Sequence, residues 1–476
     1  MSPAALLLTF AVSQGPLPPD LDAPFVRGAV SVEGASYGYR LLTPPSPAEG
    51  ARYPLVLFLH GSGERGDDNT KQLTHFPRRM LAPGERSERP CFVLAPQCPA
   101  GERWTEDVWG ATESAALPPA PTRALAAAMQ ALLEVAREHP VDVDRIYLTG
   151  LSMGGYGALE LALRHPDWFA ALAAVCGGGD ERLAARLAGL PVTLWHGDQD
   201  RAVPVVRSER WAAALGALGE TPDVHILPGV GHDAWNHAYA DGGCLPWLFA
   251  QRRDPARRLA AAARLLGEVL QPSDRIAFLG DSITQAGAQP GGYIDLLQRA
   301  LAPFAPAVSF IPAGISGHKV PDLLRRYERD VLAHDPTLVF VYIGINDVWH
   351  SRSGNGTPAE AFNSGLETLA SALQGAGKRR VVLATATCIG ERPAGQNELD
   401  PMLAEYVALT RAVAAADPAR TLSDLHASFR AHQALHNPSA AERGVLTTDG
   451  VHLNASGNLL VATEAARALR LAALGR

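Results

Sequence analysis

At 476 residues the chain is too long for one ordinary hydrophobic core and suits two domains of about 200 to 250 residues each. Hydrophobic residues make up 47% and charged residues 19%, which excludes the composition of a disordered chain. A formal net charge of −7 without a long run of Lys and Arg argues against nucleic acid as a partner. No apolar run approaches the roughly 20 residues of an integral membrane segment.

Residues 4–12 are apolar, and Ala11 and Ser13 stand like the small residues before a signal-peptidase cut, so residues 1–24 read as a leader. No Lys or Arg precedes Arg27, however, which leaves export and a cytoplasmic location both open. The five cysteines (Cys91, Cys98, Cys176, Cys244, Cys388) form no CxxC. They read as small buried hydrophobes, with a Cys91–Cys98 pair the alternative in an oxidising compartment.

Beyond the Pro-rich lead, short runs rich in Val, Leu and Ile at 55–60, 91–95, 145–149, 191–196 and 224–227 predict buried strands. Helical patterns at 122–139, 155–165 and 207–218 alternate with them, which implies a mostly parallel sheet covered on both faces. An Arg- and Ala-rich stretch at 254–272 reads as a connecting helix. Strand-like runs resume at 275–279, 308–312, 337–343, 380–385 and 420–424. No repeat relates the two halves, so two different α/β folds are joined.

The run at 145–149 leads into Gly150-Leu151-Ser152-Met153-Gly154 and then a helix of small residues. This GxSxG stands in the strand–turn–helix context that puts a serine on a strained turn at a helix N-terminus. Its hydroxyl needs a histidine to take its proton and a carboxylate to fix the histidine's tautomer, in the order Ser, Asp, His. Downstream come His196-Gly197-Asp198-Gln199-Asp200 and Gly229-Val230-Gly231-His232. Here residues 25–253 resemble the α/β-hydrolase superfamily, in its dienelactone-hydrolase and carboxylesterase-like branch. The match gives the acid to Asp200 and the base to His232, with Asp198 the competing acid; His196, His225 and His237 read as structural. Oxyanion donors are expected at the Met153 backbone N–H and in the loop His60-Gly61-Ser62-Gly63-Glu64-Arg65-Gly66, at Ser62 with Gly63 the alternative. That loop looks like its counterpart in polyhydroxybutyrate-depolymerase-like and feruloyl-esterase-like members. Trp104 and Trp109 are read either as lining a substrate pocket or as packing.

In the second half, Gly280-Asp281-Ser282 ends one strand run, Ala313-Gly314-Ile315-Ser316-Gly317 a second and Gly344-Ile345-Asn346-Asp347 a third; Asp449-Gly450-Val451-His452 lies near the C-terminus. The chemistry assigns attack to Ser282, proton transfer to His452 and its orientation to Asp449. The oxyanion falls to the Ser282 and Gly314 N–H groups and the Asn346 amide. Residues 273–476 resemble the GDSL or SGNH hydrolase superfamily, whose four named residues match Ser282, Gly314, Asn346 and His452. Asp281 and Asp347 are read as loop-holding, and His318, His350, His426, His432 and His436 as surface or wall residues. The expected architecture is therefore two tandem α/β domains, an α/β-hydrolase fold followed by a flavodoxin-like SGNH-hydrolase fold with a parallel sheet. The expected function is ester hydrolysis at two sites with no metal or cofactor, on an acylated small molecule or plant polysaccharide. The alternatives are a lipolytic carboxylesterase, lysophospholipase or thioesterase, or one catalytic head beside a binding module.

Overall fold

The computed structural model describes residues 24–375, 377 and 379–475, so the expected leader, save Pro24, lies outside the described residues. The chain divides into two compact units between Arg253 and Asp254. In the first, eight strands, β1 (Phe25–Val32), β2 (Ala35–Leu42), β3 (Tyr53–Leu59), β4 (Phe92–Pro96), β5 (Val141–Leu151), β6 (Ala171–Val175), β7 (Val192–Gly197) and β8 (Asp223–Leu227), form one sheet in the order β1-β2-β4-β3-β5-β6-β7-β8. β1 and β2 pair antiparallel, β2 meets β4 antiparallel, and the rest of the sheet is parallel. β4, β6 and β7 are buried throughout, as strands covered on both faces must be.

Three strands were not expected from sequence. β1 is largely exposed, burying Phe25 and Val30, and is joined to β2 by a turn at Glu33-Gly34, both at positive φ, which suits a tight two-residue hairpin turn. β6, Ala171-Leu172-Ala173-Ala174-Val175, has a single β-branched residue, and its burial rather than its propensity makes it a strand.

In the second unit β9 (Arg275–Gly280), β10 (Ser309–Gly314), β11 (Leu338–Tyr342), β12 (Arg380–Ala384) and β13 (Arg420–Ser423) form an all-parallel sheet in the order β10-β9-β11-β12-β13. The strand order reverses beside β9, and the crevice opened there beyond the strand ends is where open α/β sheets bind ligands. Gly280 pairs with both Gly314 and Tyr342, so the three strands that carry the sequence blocks end level with one another.

Residues 254–272, expected as a connecting segment, are instead part of this unit. The helix Pro255–Gly267 is capped by Asp254, which accepts from Ala256 N and Arg257 N. It buries Leu259, Ala262, Ala263 and Leu266 in the second core, against the helix Ala455–Leu474. All five cysteines are buried free thiols, so Cys91 and Cys98 are not paired. Burial pushes each of those two thiols up to about 12. No helix among the described residues is long and apolar enough to cross a membrane.

Candidate active sites

In the first unit β5 delivers Ser152 at φ 52° and ψ −121°, a left-handed turn that a side-chain-bearing residue adopts only under strain. The glycines around it are obligatory. A Cβ on Gly150 would lie 2.1 Å from Gly154 O, and one on Gly154 would lie 1.9 Å from Leu59 O. Behind the serine runs the helix Met153–Arg164.

Ser152 Oγ lies 2.9 Å from His232 Nε2, and His232 Nδ1 lies 2.6 Å from Asp200 Oδ2. The loops bearing Asp200 and His232 meet because β7 ends in a glycine: a Cβ on Gly197 would sit 2.3 Å from Val230 O and Gly231 O. Asp200 Oδ1 accepts from Ala202 N and Val203 N. Burial opposes ionisation of Asp200, but hydrogen bonds from His196, His232 and Val203 N–H outweigh it and hold the carboxyl far below the usual carboxylate range. Asp198 stands apart and accepts from Gly229 N at 2.7 Å, so Asp200 is the carboxylate brought to His232.

His196 is fully buried, with Nδ1 2.7 Å from Ser208 Oγ and Nε2 3.0 Å from Val203 O and 3.3 Å from Asp200 Oδ2, and so braces the turn that carries the carboxylate. His225 pairs with Asp223 and stacks on Trp195. The oxyanion-loop expectation has Ser62 opening the 3₁₀ turn Ser62–Glu64 and Met153 opening the helix. That loop lies tight on the elbow, since a Cβ on Gly61 would reach 2.7 Å from Leu151 Cδ1 and one on Gly154 would reach 2.7 Å from His60 O. Trp104 is buried and donates to His60 O at 2.9 Å, so it packs behind the loop. Trp109 is half-buried in the 104–118 segment. Its carbonyl accepts from Tyr156 OH. The buried Arg207, which nothing in the sequence marks, ties down the same segment through Asp107 at 2.7 Å and Ala111 O at 3.2 Å.

In the second unit the short helix Ser282–Gly287 follows β9, and its N-cap Asp281 accepts from Ile283 N at 2.9 Å. Ser282 Oγ lies 3.0 Å from His452 Nε2, and His452 Nδ1 lies 2.7 Å from Asp449 Oδ2. Asp449 Oδ1 accepts from Val451 N and His452 N. Burial works against ionisation of Asp449 too, but the bonds from His452 prevail and lower its carboxyl. Gly314 lies so close to the Ser282 helix that a Cβ there would fall 2.1 Å from Gln285 N. The buried Asn346 donates from Nδ2 to His318 O at 3.1 Å, which leaves a second amide hydrogen for a ligand.

The loop carrying Asp449 and His452 is fixed by a residue the motifs do not reveal. Glu391, fully buried, accepts from Val445 N, Leu446 N, Thr447 N and Thr447 Oγ1 at 2.6 to 2.9 Å. His426 Nδ1 lies 2.6 Å from Thr387 O.

Asp281 and Asp347 hold loops as expected from sequence, Asp347 by accepting from Val320 N. Burial raises Asp281 to about 7, aided by the neighbouring Asp347 charge, and burial raises Asp347 to about 6. A carboxyl raised on folding binds its proton more tightly in the native state, so its contribution is full below about pH 4 and is lost as pH climbs towards 7. Asp281→Asn, which keeps the capping oxygen and cannot ionise, is therefore expected to lose less melting temperature than wild type between pH 5 and pH 8. Parallel pH profiles of thermal unfolding check this, and identical slopes would contradict it.

Each unit thus holds a serine hydroxyl on an imidazole whose far nitrogen rests on a carboxylate, an arrangement able to deprotonate the hydroxyl as it attacks an acyl carbon. Residues 46–241 match the family model described as Phospholipase/Carboxylesterase, and residues 278–460 that of the GDSL-like Lipase/Acylhydrolase family. The chain is 31% identical over 207 residues to "Putative esterase NocK" of Nocardia uniformis subsp. tsuyamanensis, covering 43% of this chain and 57% of that protein. It is 39% identical over 90 residues to an "Acetylxylan esterase" of Geobacillus stearothermophilus, covering 16% of this chain and 41% of that protein. The chain therefore spans less than two thirds of the length of either relative. Among solved structures, the acetyl xylan esterase AlAXEase is 40% identical, with a TM-score of 0.39 over 40% of this chain and 97% of that one. Two family models thus account for the two units in turn, the first unit resembling the α/β-hydrolase superfamily and the second the GDSL-like hydrolases.

Proposed function

We propose that the protein is a double-headed serine esterase that removes acyl groups from plant polysaccharide. The observation that carries the two-site reading is the pair of independent Ser–His–carboxylate chains, with both hydrogen bonds of each at 2.6 to 3.0 Å. In each head the serine proton passes to histidine Nε2 as Oγ bonds to the ester carbon. The tetrahedral oxyanion collapses, and the same nitrogen returns the proton to the departing alcohol. Water then repeats the sequence on the acyl-serine and releases the carboxylic acid. Met153 N–H with Ser62 N–H in the first head, and Ser282 N–H, Gly314 N–H and Asn346 in the second, serve as oxyanion donors in this reading.

A polysaccharide substrate is supported by the name of the acetylxylan esterase relative and by one feature common to the heads. The leaving alcohol must lie beside the histidine that protonates it, and in both heads that imidazole meets a half-buried indole edge-on. Trp235 lies 5.3 Å from His232, and Trp349 lies 6.2 Å from His452. An indole offers an amphipathic wall suited to a pyranose ring. The test is product analysis on acetylated xylan with wild type, Ser152→Ala and Ser282→Ala. Acetate release by all three proteins is expected. Release of long-chain fatty acid from lipid esters with no acetate from xylan would replace the polysaccharide reading with a lipolytic one.

A further inference from the structure

One buried arginine touches two of the three strand ends on which the second head's oxyanion donors stand, and meets a residue bonded to the third donor. Arg326 is 4% exposed, an unusual place for a guanidinium, and burial pulls its pKa down. Its Nη2 donates to Gly280 O at 2.7 Å, two residues before Ser282, and its Nη1 donates to Ala313 O at 3.0 Å, one residue before Gly314. Its Nε donates to His318 Nδ1 at 3.0 Å, and the carbonyl of His318 receives the Asn346 amide at 3.1 Å. Asp330 Oδ2, 3.0 Å from Nη1, supplies the counter-charge. The planar, rigid fork of guanidinium donors can serve these divergent acceptors together, whereas an ammonium is a compact point donor.

We infer that Arg326 is a positioning residue for the second head's oxyanion hole, fixing the Ser282, Gly314 and Asn346 donors relative to one another. This rests on the reading of Ser282 and Asn346 given above. Preorganised donors act only if they are already placed where the oxyanion forms, and a misplacement of about 1 Å can cost about 100-fold in rate. The His318 ring is part of the device. Its Nδ1 accepts from arginine, so the ring is neutral with its proton on Nε2, and it links the guanidinium to the segment whose carbonyl aims Asn346.

The test uses full-length Ser152→Ala protein, so that only the second head turns over a chromogenic acetyl ester. Arg326→Lys is expected to lower kcat about 30- to 100-fold with KM changed less than about threefold, the signature of a lost transition-state interaction. In an Asn346→Ala background, itself expected to be down about 100- to 1,000-fold, the same change should cost only about three- to tenfold more, because one of the three donors it places is gone while Ser282 and Gly314 remain. His318→Ala keeps the backbone carbonyl and should give a smaller kcat loss of about three- to tenfold, which keeps the inference open to test if Arg326→Lys does not fold. Equal fold-losses in the two backgrounds, or a loss confined to KM, would overturn the positioning role alone. If Asn346→Ala were fully active, or Ser152→Ala protein inactive on every ester, the assignment of the second head would fail and the inference with it.

Discussion

The chain carrying both Ser152→Ala and Ser282→Ala is expected to hydrolyse a chromogenic acetyl ester at least about 10⁴-fold more slowly than wild type, while each single variant keeps the other head's share. Removal of a nucleophilic serine costs about as much as removal of a whole triad, because histidine and acid have nothing left to activate. The two triads share no residue, so in the proposed double-headed reading the heads would act in parallel and their rates would add. A fluorophosphonate, which is captured only by an activated serine, should accordingly modify wild type twice, either single variant once and the double variant not at all, as intact mass reads directly. One adduct on wild type, or a single variant as fast as wild type on every ester, would reduce the protein to one working head. Simple addition also predicts that neither single variant alters the other head's KM.

How much of this was legible in the sequence depended on the range of the interactions involved. β3, β5, β7, β9, β11 and β12 announce themselves by apolar runs, because strands buried on both faces cannot afford polar residues. The catalytic blocks are legible for a related reason. Strained turns and close backbone approaches at Gly150, Gly154, Gly197 and Gly314 exclude side chains and leave a local pattern of glycines. What escaped the reading acts across long loops. Glu391 meets Leu446 N 55 positions later, Arg207 reaches back 100 positions to Asp107, and Arg326 crosses 46 to Gly280. In sequence each is an ordinary charged residue, and Arg326 is one of several charges in the run Arg325-Arg326-Tyr327-Glu328-Arg329-Asp330. The choice between Asp198 and Asp200 was open for the opposite reason. Two carboxylates two residues apart satisfy the same pattern, and only the turn beyond β7 decides which one reaches His232.

The two heads should respond unequally to loss of the acid. In the first, Asp200 has no exposed side-chain surface and takes hydrogen bonds from His232, Ala202 N and Val203 N. Asparagine there would turn an amide N–H or a weaker carbonyl towards Nδ1. The imidazole would then favour the tautomer with its proton on Nε2, facing Ser152 with no lone pair to receive the hydroxyl proton. The imidazolium formed during attack would also lose a buried counter-charge, where charge matters most. Asp200→Asn, measured in a Ser282→Ala background, is therefore expected to lower kcat about 10³- to 10⁴-fold. In the second head the Asp449 side chain is 44% exposed and that of His452 37%. Solvent screens that pair and can itself accept from Nδ1, so Asp449→Asn in a Ser152→Ala background should cost only about 10- to 100-fold. Steady-state kinetics on one ester, with melting temperatures to confirm folding, decides the matter. Equal losses in the two heads would show that burial of the acid does not set its catalytic weight, and a larger loss from Asp198→Asn than from Asp200→Asn would overturn the identity of the first acid.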